Sequence, residues 1–258
     1  MTREEIWQTA YRQSAEDLCC DLGDFRREEG VVVLSRENPR ARKYLELPFS
    51  CQLVSYGGNV VASVSPPFRE AAEAYLRRFP PEHCFETPNL HVLNEALLPL
   101  GQKICFMAEY FLPEPALLSR HPCPYPLRTL VPEDFGPLYL PEWSNALCEK
   151  RKHLDVLAVG AYDGETLVGL AGCSADCRDM WQIGVDVLPA YRRQGIARAL
   201  TSALAAEILA RGKVPFYCAA WSNLKSVRNA LGCGFRPAWV ELTAKPAGYV
   251  EQMNGGCQ

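Results

Sequence analysis

No apolar run in this 258-residue chain reaches the roughly 18–20 residues that a helix needs to cross a bilayer. The opening Met1-Thr2-Arg3-Glu4-Glu5-Ile6 also lacks the apolar core of a signal peptide. A cytoplasmic protein with no membrane partner is therefore expected. An excess of charge of one sign is missing too: 27 Lys and Arg against 30 Asp and Glu leave a formal charge of -3. Basic residues recur at 36–43 and 149–152, but neighbouring acids offset them. Nucleic-acid binding needs an uncompensated basic face, so no such partner is expected.

Several chemical signatures are absent as well. The sequence has no Gly-x-Ser-x-Gly, no Gly-x-Gly-x-x-Gly and no phosphate-loop Gly-Lys-Ser/Thr, which argues against common hydrolase, dehydrogenase and nucleotidase sites. Cys173 and Cys177 are not matched by a second Cys/His pair at zinc-like spacing, and the four histidines are dispersed, so no metal is expected. Twelve cysteines scattered through a chain of this size read as reduced thiols, mostly small buried hydrophobes.

What is present is a composition of 48% apolar and 22% charged residues, which suits one large or two ordinary globular domains. The first half reads as a small α+β domain over 1–112. Its elements are an amphipathic helix near 4–21, apolar strands at 31–34, 51–56 and 59–64 with a hairpin at Tyr56-Gly57-Gly58-Asn59, helices at 67–79 and 88–98, and a strand at 103–111. Prolines at 113, 115, 122, 124, 126 and 132 disfavour regular structure, which places a linker at 113–131. From 132 to 258 the pattern predicts a helix near 133–150, strands at 155–162, 166–174 and 180–188, a helix at 195–211, a strand at 214–219, a helix at 223–231 and a strand at 235–243. Such alternation implies an α/β domain with a mixed sheet. Ile196, Leu200, Leu204 and Ile208 recur at helical spacing, so one stripe of that helix is expected to pack on the sheet.

The segment Val185-Asp-Val-Leu-Pro-Ala-Tyr-Arg-Arg-Gln-Gly-Ile-Ala197 joins a strand directly to a helix and fits Arg/Gln-x-x-Gly-x-Gly/Ala through Arg192, Gly195 and Ala197. Small residues let backbone N–H groups approach a ligand, and a helix N-terminus offers unpaired donors and partial positive charge to a pyrophosphate. Arg192 and Arg193 add complementary charge. Downstream, Trp221-Ser-Asn-Leu-Lys-Ser-Val-Arg-Asn-Ala-Leu-Gly-Cys-Gly-Phe235 opens a helix at Asn and closes it at Gly-Phe. Taken alone, that stretch is equally a capped helix leading into a core strand.

Together these segments resemble the GNAT superfamily of acyl-CoA-dependent N-acetyltransferases over about 125–245. The resemblance implies acetyl-CoA as cosubstrate, no metal, and a primary amine of a small molecule or protein as acceptor. It places the cofactor on Val187, Arg192, Arg193, Gln194, Gly195, Ile196, Ala197, Asn223 and Ser226, with the pantetheine arm held between splayed parallel strands 180–188 and 214–219. Many relatives carry a tyrosine general acid seven positions after the residue matching Asn223; here that position is Ala230. Tyr217, a water chain or unaided departure of the thiol remain as alternatives. Trp181 and Ile183 stand at strand positions that bear acid/base groups in some relatives and cannot do so. Glu142 is the carboxylate candidate within Pro141-Glu-Trp-Ser-Asn145, a segment expected to line the acceptor pocket, unless it simply buries Trp143 in the core. Glu109 and Asp176 are further candidates, and Asp186 is expected to alternate to the other strand face. The first half is expected to shape or cover the acceptor site, and two strand-rich halves of similar size leave room for a degenerate second copy of the fold. The competing reading is a non-catalytic acyl-CoA sensor or interaction module, suggested by Ala230 and the missing strand carboxylate. Acceptor identity, acyl length and oligomeric state are not encoded in these motifs.

Overall fold

A computed structural model describes residues 1–255 and shows a mixed α/β fold. In chain order the elements are α1 (Arg3–Leu18), β1 (Val31–Leu34), β2 (Cys51–Ser55), β3 (Val61–Val64), α2 (Arg69–Arg78), α3 (Thr87–Leu97), β4 (Gln102–Pro113), β5 (Leu127–Leu130), β6 (Asp155–Asp163), β7 (Thr166–Ser174), β8 (Met180–Val187), α4 (Ile196–Ala210), β9 (Val214–Ala219), α5 (Leu224–Gly232), β10 (Phe235–Pro246) and α6 (Ala247–Gly255). Among the described residues no helix is long and apolar enough to cross a membrane.

Two compact units are present. One comprises Met1–Ala10 and Tyr110–Pro237; the other comprises Tyr11–Glu109 and Ala238–Gln258, of which 256–258 lie outside the described residues, as do the last three positions of the expected 132–258 domain. Neither unit is contiguous in sequence, because α1, β4 and β10 each give residues to both.

In the second unit β1 runs parallel to β3, β2 pairs antiparallel with β3 through the expected hairpin, and β10 pairs antiparallel with β2. Leu53, Val64, Phe68, Tyr75, Leu93, Leu97 and Leu242 form its core. Beside this core lies a buried ionic cluster. Arg42 donates from Nε to Asp17 (2.5 Å) and from a terminal nitrogen to Glu241 (2.6 Å), and Gln52 also donates to Glu241 (2.8 Å).

In the first unit β5, β6, β7 and β8 form an antiparallel run, and β9 adds to β8 in parallel. The expected stripe of α4 packs on one face: Ile196, Leu200, Leu204 and Ile208 are at most 1% exposed and meet Val159, Ala171 and Ile183. Burying each such side chain contributes on the order of 1.5–3 kcal/mol. Residues of opposite parity face the other way, where Ala158 and Leu170 pack against Phe135, Trp143 and Leu147.

The covering segment is not the expected helix at 133–150. It is a series of 3-10 turns at Pro132–Asp134, Gly136–Leu138, Pro141–Trp143 and Glu149–Leu154. Pro137 and Pro141 would each remove a helical hydrogen bond and clash with the preceding turn, which forbids a continuous α-helix. The Pro-rich stretch also departs from a plain linker: it ends in β5 and lies along α4, where His121 N donates to Ser202 Oγ (3.1 Å). The C-terminal helix α6 was not anticipated from the sequence pattern.

Candidate functional site

The site is built where β8 ends. Leu188 leads into a 3-10 turn at Pro189–Tyr191, and the chain then turns sharply into α4. Two residues of this turn are left-handed: Arg193 at φ 64° and Gly195, the N-cap, at φ 81° and ψ −1°. Glycine suits the cap because it meets no steric penalty at that φ and has no side chain over the helix end. The first bond at the helix start runs from Ala199 N to Gly195 O (3.0 Å). The N–H groups of Ile196, Ala197 and Arg198 precede that bond and have no intrahelical acceptor. The helix dipole adds partial positive charge at the same place. This turn can therefore hold a phosphate group.

Side chains around the turn divide their work. Arg192 donates from Nε to the Val187 carbonyl (3.0 Å), bracing the loop against the strand end, while Arg193, Gln194 and Gly195 are exposed. The Ile196 side chain is core, which leaves its backbone N–H as the group it can offer to a ligand. Ala197 is half-buried. The Gln194 amide oxygen accepts from the Tyr125 hydroxyl (3.2 Å).

The neighbouring strands separate beside the turn. β8 and β9 pair over Met180–Gln182 against Val214–Phe216, after which β8 continues to Val187 and β9 to Ala219. Gln182 reaches across to donate to Cys218 Sγ (3.1 Å). Past it, Tyr217 is buried on the face that also holds Phe235, and its hydroxyl lies 2.8 Å from Ser226 Oγ. Burial pushes the Tyr217 hydroxyl above the ordinary tyrosine range, and hydrogen bonds from Ser226 and Asn229 oppose that rise. Tyr217 thus keeps its proton at neutral pH. Ala230 is fully buried.

Asn223 caps α5 by accepting from Ser226 N (3.2 Å), so the capping reading of that motif is realised in the structure. Gly234, at φ 88°, has a separate reason: a Cβ there would lie 2.6 Å from the Leu117 carbonyl. The Gly-Phe pair lets the backbone of the Pro-rich strap pass over the start of β10.

On the opposite sheet face, the Pro141–Leu147 segment rests directly on backbone. Gly172 and Gly184 are paired across β7 and β8, and a Cβ at either would fall within 2.1 Å of a carbonyl oxygen of Ala146 or Asn145. Asp186 points to this face and accepts from Asn145 N (2.8 Å), Asn145 Nδ2 (2.6 Å) and Ala146 N (3.0 Å). It is an anchor whose acceptors are occupied. Trp143 is buried in the core below, whereas Glu142 projects to solvent from the same turn. Of the other carboxylates, Asp176 is fully buried and accepts from Arg151 (2.9 Å) in the β7–β8 connection. Glu109 belongs to the other compact unit.

Sequence reasoning missed Asp155. This buried carboxylate opens β6 and accepts from Cys148 N (2.9 Å) and the Tyr139 hydroxyl (3.2 Å). Its pKa is raised to about 6, chiefly by burial. Nothing in the local sequence distinguishes it from the solvated acids nearby. Cys173 is core, and Cys177 donates to the Met180 carbonyl (3.2 Å), so both thiols have structural roles.

Residues 124–235 match the model of the Acetyltransferase (GNAT) family. No curated protein matches the chain. Among solved structures, the GCN5-related N-acetyltransferase from Kribbella flavida shares the fold at TM-score 0.50 and 15% identity, over 96% of this chain and 98% of that one. An acetyltransferase of the GNAT family from Colwellia psychrerythraea aligns at TM-score 0.47 and 12% identity, over 95% and 98%. A GNAT-family structure from Novosphingobium aromaticivorans aligns at TM-score 0.42 and 21% identity, over 56% of this chain and 66% of that one. The strand-to-helix turn at Gly195 lies within the stretch, residues 124–235, that matches the Acetyltransferase (GNAT) family model.

Proposed function

We propose that this domain transfers an acetyl group from acetyl-CoA to a primary amine of a small molecule or protein. The observation that carries the reading is the glycine-capped N-terminus of α4 beside the separated ends of β8 and β9. The backbone N–H groups of Ile196, Ala197 and Arg198, with Arg193 and Gln194, would hold the pyrophosphate, and the unpaired strand edges beyond Gln182 and Phe216 offer backbone groups to the pantetheine amides.

Acetyl-CoA supplies an electrophilic thioester carbonyl. The neutral amine attacks it, a C–N bond forms, the C–S bond breaks, and the amine loses one proton while the departing thiolate gains one. A free amine with pKa about 10 is mostly protonated at neutral pH, so the site must favour its neutral form. Tyr217, protonated and buried next to Ser226, is the hydroxyl we assign to the thiolate in place of a tyrosine at Ala230. The amine proton leaves to Glu142 at the exposed edge of the acceptor-side turn, or to solvent.

The test is calorimetric titration with acetyl-CoA, followed by an amine panel with thiol release monitored. Saturable binding with amine-dependent release is expected. Binding without release for any amine would favour an acyl-CoA sensor, and absence of binding would overturn the reading. Tyr217→Phe is expected to lower kcat by about 10–100-fold while leaving acetyl-CoA affinity within twofold, a loss on the scale of removing one general acid. An unchanged kcat would remove Tyr217 from the mechanism.

A further inference from the structure

The Pro-rich segment between β4 and β5 ends at the phosphate-binding turn. Glu114 N donates to Gly234 O (2.9 Å), Arg120 pairs with Glu207 (3.0 Å) near the C-terminal end of α4, and His121 N donates to Ser202 Oγ (3.1 Å) further towards its start. Leu118, Cys123 and Tyr125 pack against the core that α4 helps to form. The strap thus follows α4 from its last turns to its first. Tyr125 stands between Pro124 and Pro126, whose rings fix φ on both sides, so the strap presents it with little conformational freedom to lose. Immediately after it, the Pro126 carbonyl accepts from Tyr162 N (3.0 Å) and ties the strap to β6.

At this end two tyrosines clasp the turn. The rings of Tyr125 and Tyr191 meet edge to face at 5.6 Å and 71°. Tyr191 is held from the other side by its hydroxyl, which donates to Asp163 (3.0 Å). Tyr125 donates to the Gln194 amide oxygen (3.2 Å). A glutamine side chain has one acceptor end and one donor end. With the oxygen occupied by Tyr125, the NH2 end is left to donate, which is the polarity an anionic ligand requires.

We infer that Tyr125 is a positioning residue of the acyl-CoA site: through Gln194 and Tyr191 it fixes the Arg192–Gly195 turn for the pyrophosphate of the donor. This rests on the acyl-CoA reading above. It makes the strap part of the donor site, in a segment outside the strand-to-helix motif, and assigns recognition to the nucleotide half of the donor and not to its acylated arm.

The experiment compares acetyl-CoA with S-acetylpantetheine, which carries the same thioester without pyrophosphate or nucleotide. Tyr125→Phe removes one hydrogen bond and is expected to weaken acetyl-CoA binding about tenfold by calorimetry, the scale of one hydrogen bond. The apparent affinity for S-acetylpantetheine, read as competition or as KM, is expected to stay within twofold. Gln194→Ala should give a similar loss, and the double variant should lose no more than Gln194→Ala alone, because the two side chains act as one unit. Equal weakening towards both donors would show a merely structural role and overturn the assignment, as would additive losses in the double variant. Unchanged acetyl-CoA affinity in Tyr125→Phe, with normal wild-type binding, would overturn the assignment alone. Failure of the wild-type protein to bind acetyl-CoA would overturn the functional reading together with it.

Discussion

Gly195 offers a test in which folding and binding effects separate. Its φ of 81° lies in the left-handed region, and nothing stands within 4 Å of a Cβ built there. Any L-residue therefore meets a backbone cost and no clash. For Gly195→Ala that cost is about 1–2 kcal/mol of stability, while Gly195→Asn should cost less because asparagine tolerates this conformation. Gly195→Trp carries the same backbone cost as Ala, since its ring extends into open space. Its bulk, however, occupies the cradle formed by the first-turn N–H groups. Acetyl-CoA affinity is therefore expected to fall more than 100-fold in Gly195→Trp, or about 2.7 kcal/mol, against less than tenfold in Gly195→Ala. Urea denaturation gives the first quantity and calorimetric titration the second. If Gly195→Trp bound acetyl-CoA as tightly as Gly195→Ala, the pyrophosphate would not sit at this helix end. Equal stability of all three variants and wild type would contradict the left-handed backbone.

Three further outcomes follow from the packing. Asp186→Ala removes a carboxylate that accepts three hydrogen bonds from Asn145 and Ala146, and should cost about 2–3 kcal/mol with a raised amine KM, while Asp186→Asn should cost about 1 kcal/mol; denaturation curves for both within error of wild type would refute the anchoring role. Asp155 has its pKa raised from 3.8 to about 6, so the folded state keeps a proton that the unfolded chain has already released. Its contribution is fully present below about pH 4 and is lost as pH rises through about 6, a change of up to about 3 kcal/mol; Asp155→Asn should flatten this part of the stability profile, and an unchanged profile would count against the shift. Arg42 lies between Asp17 and Glu241, all three at most 4% exposed, so Arg42→Met leaves two buried carboxylates without their cation and should cost about 3–5 kcal/mol in chemical denaturation. A loss under 1 kcal/mol would show that solvent or relaxation replaces the pair.

The elements that local pattern controls were legible in the sequence. The stripe Ile196, Leu200, Leu204 and Ile208 is buried as its spacing required, because 3.6-residue periodicity places those side chains on one face wherever the helix docks. The strands 166–174 and 214–219 and the Gly195 turn came from short-range signals of the same kind. The segment 133–150 forms 3-10 turns in place of the expected helix, because Pro137 and Pro141 cannot sit inside a continuous α-helix.

Other features depend on residues far apart in the chain. Asp186 carries no local mark of its role, which exists only because Gly172 and Gly184 pair across two strands and admit the Asn145–Ala146 backbone at their surface. Asp155 acquires its perturbed carboxyl from burial beneath a covering segment that the sequence pattern misassigned. The proximity of Tyr125 to Gln194 spans 69 residues and follows from the strap lying along α4. The sequence by itself determined the strand-to-helix turn, its glycine cap and the helix stripe, because these obey dihedral preference and periodicity over a few residues. Tertiary structure alone decided which carboxylates are anchors, which tyrosine keeps a buried proton and what clasps the Gly195 turn, because burial and hydrogen-bond partnership are set by the segments that pack against a residue.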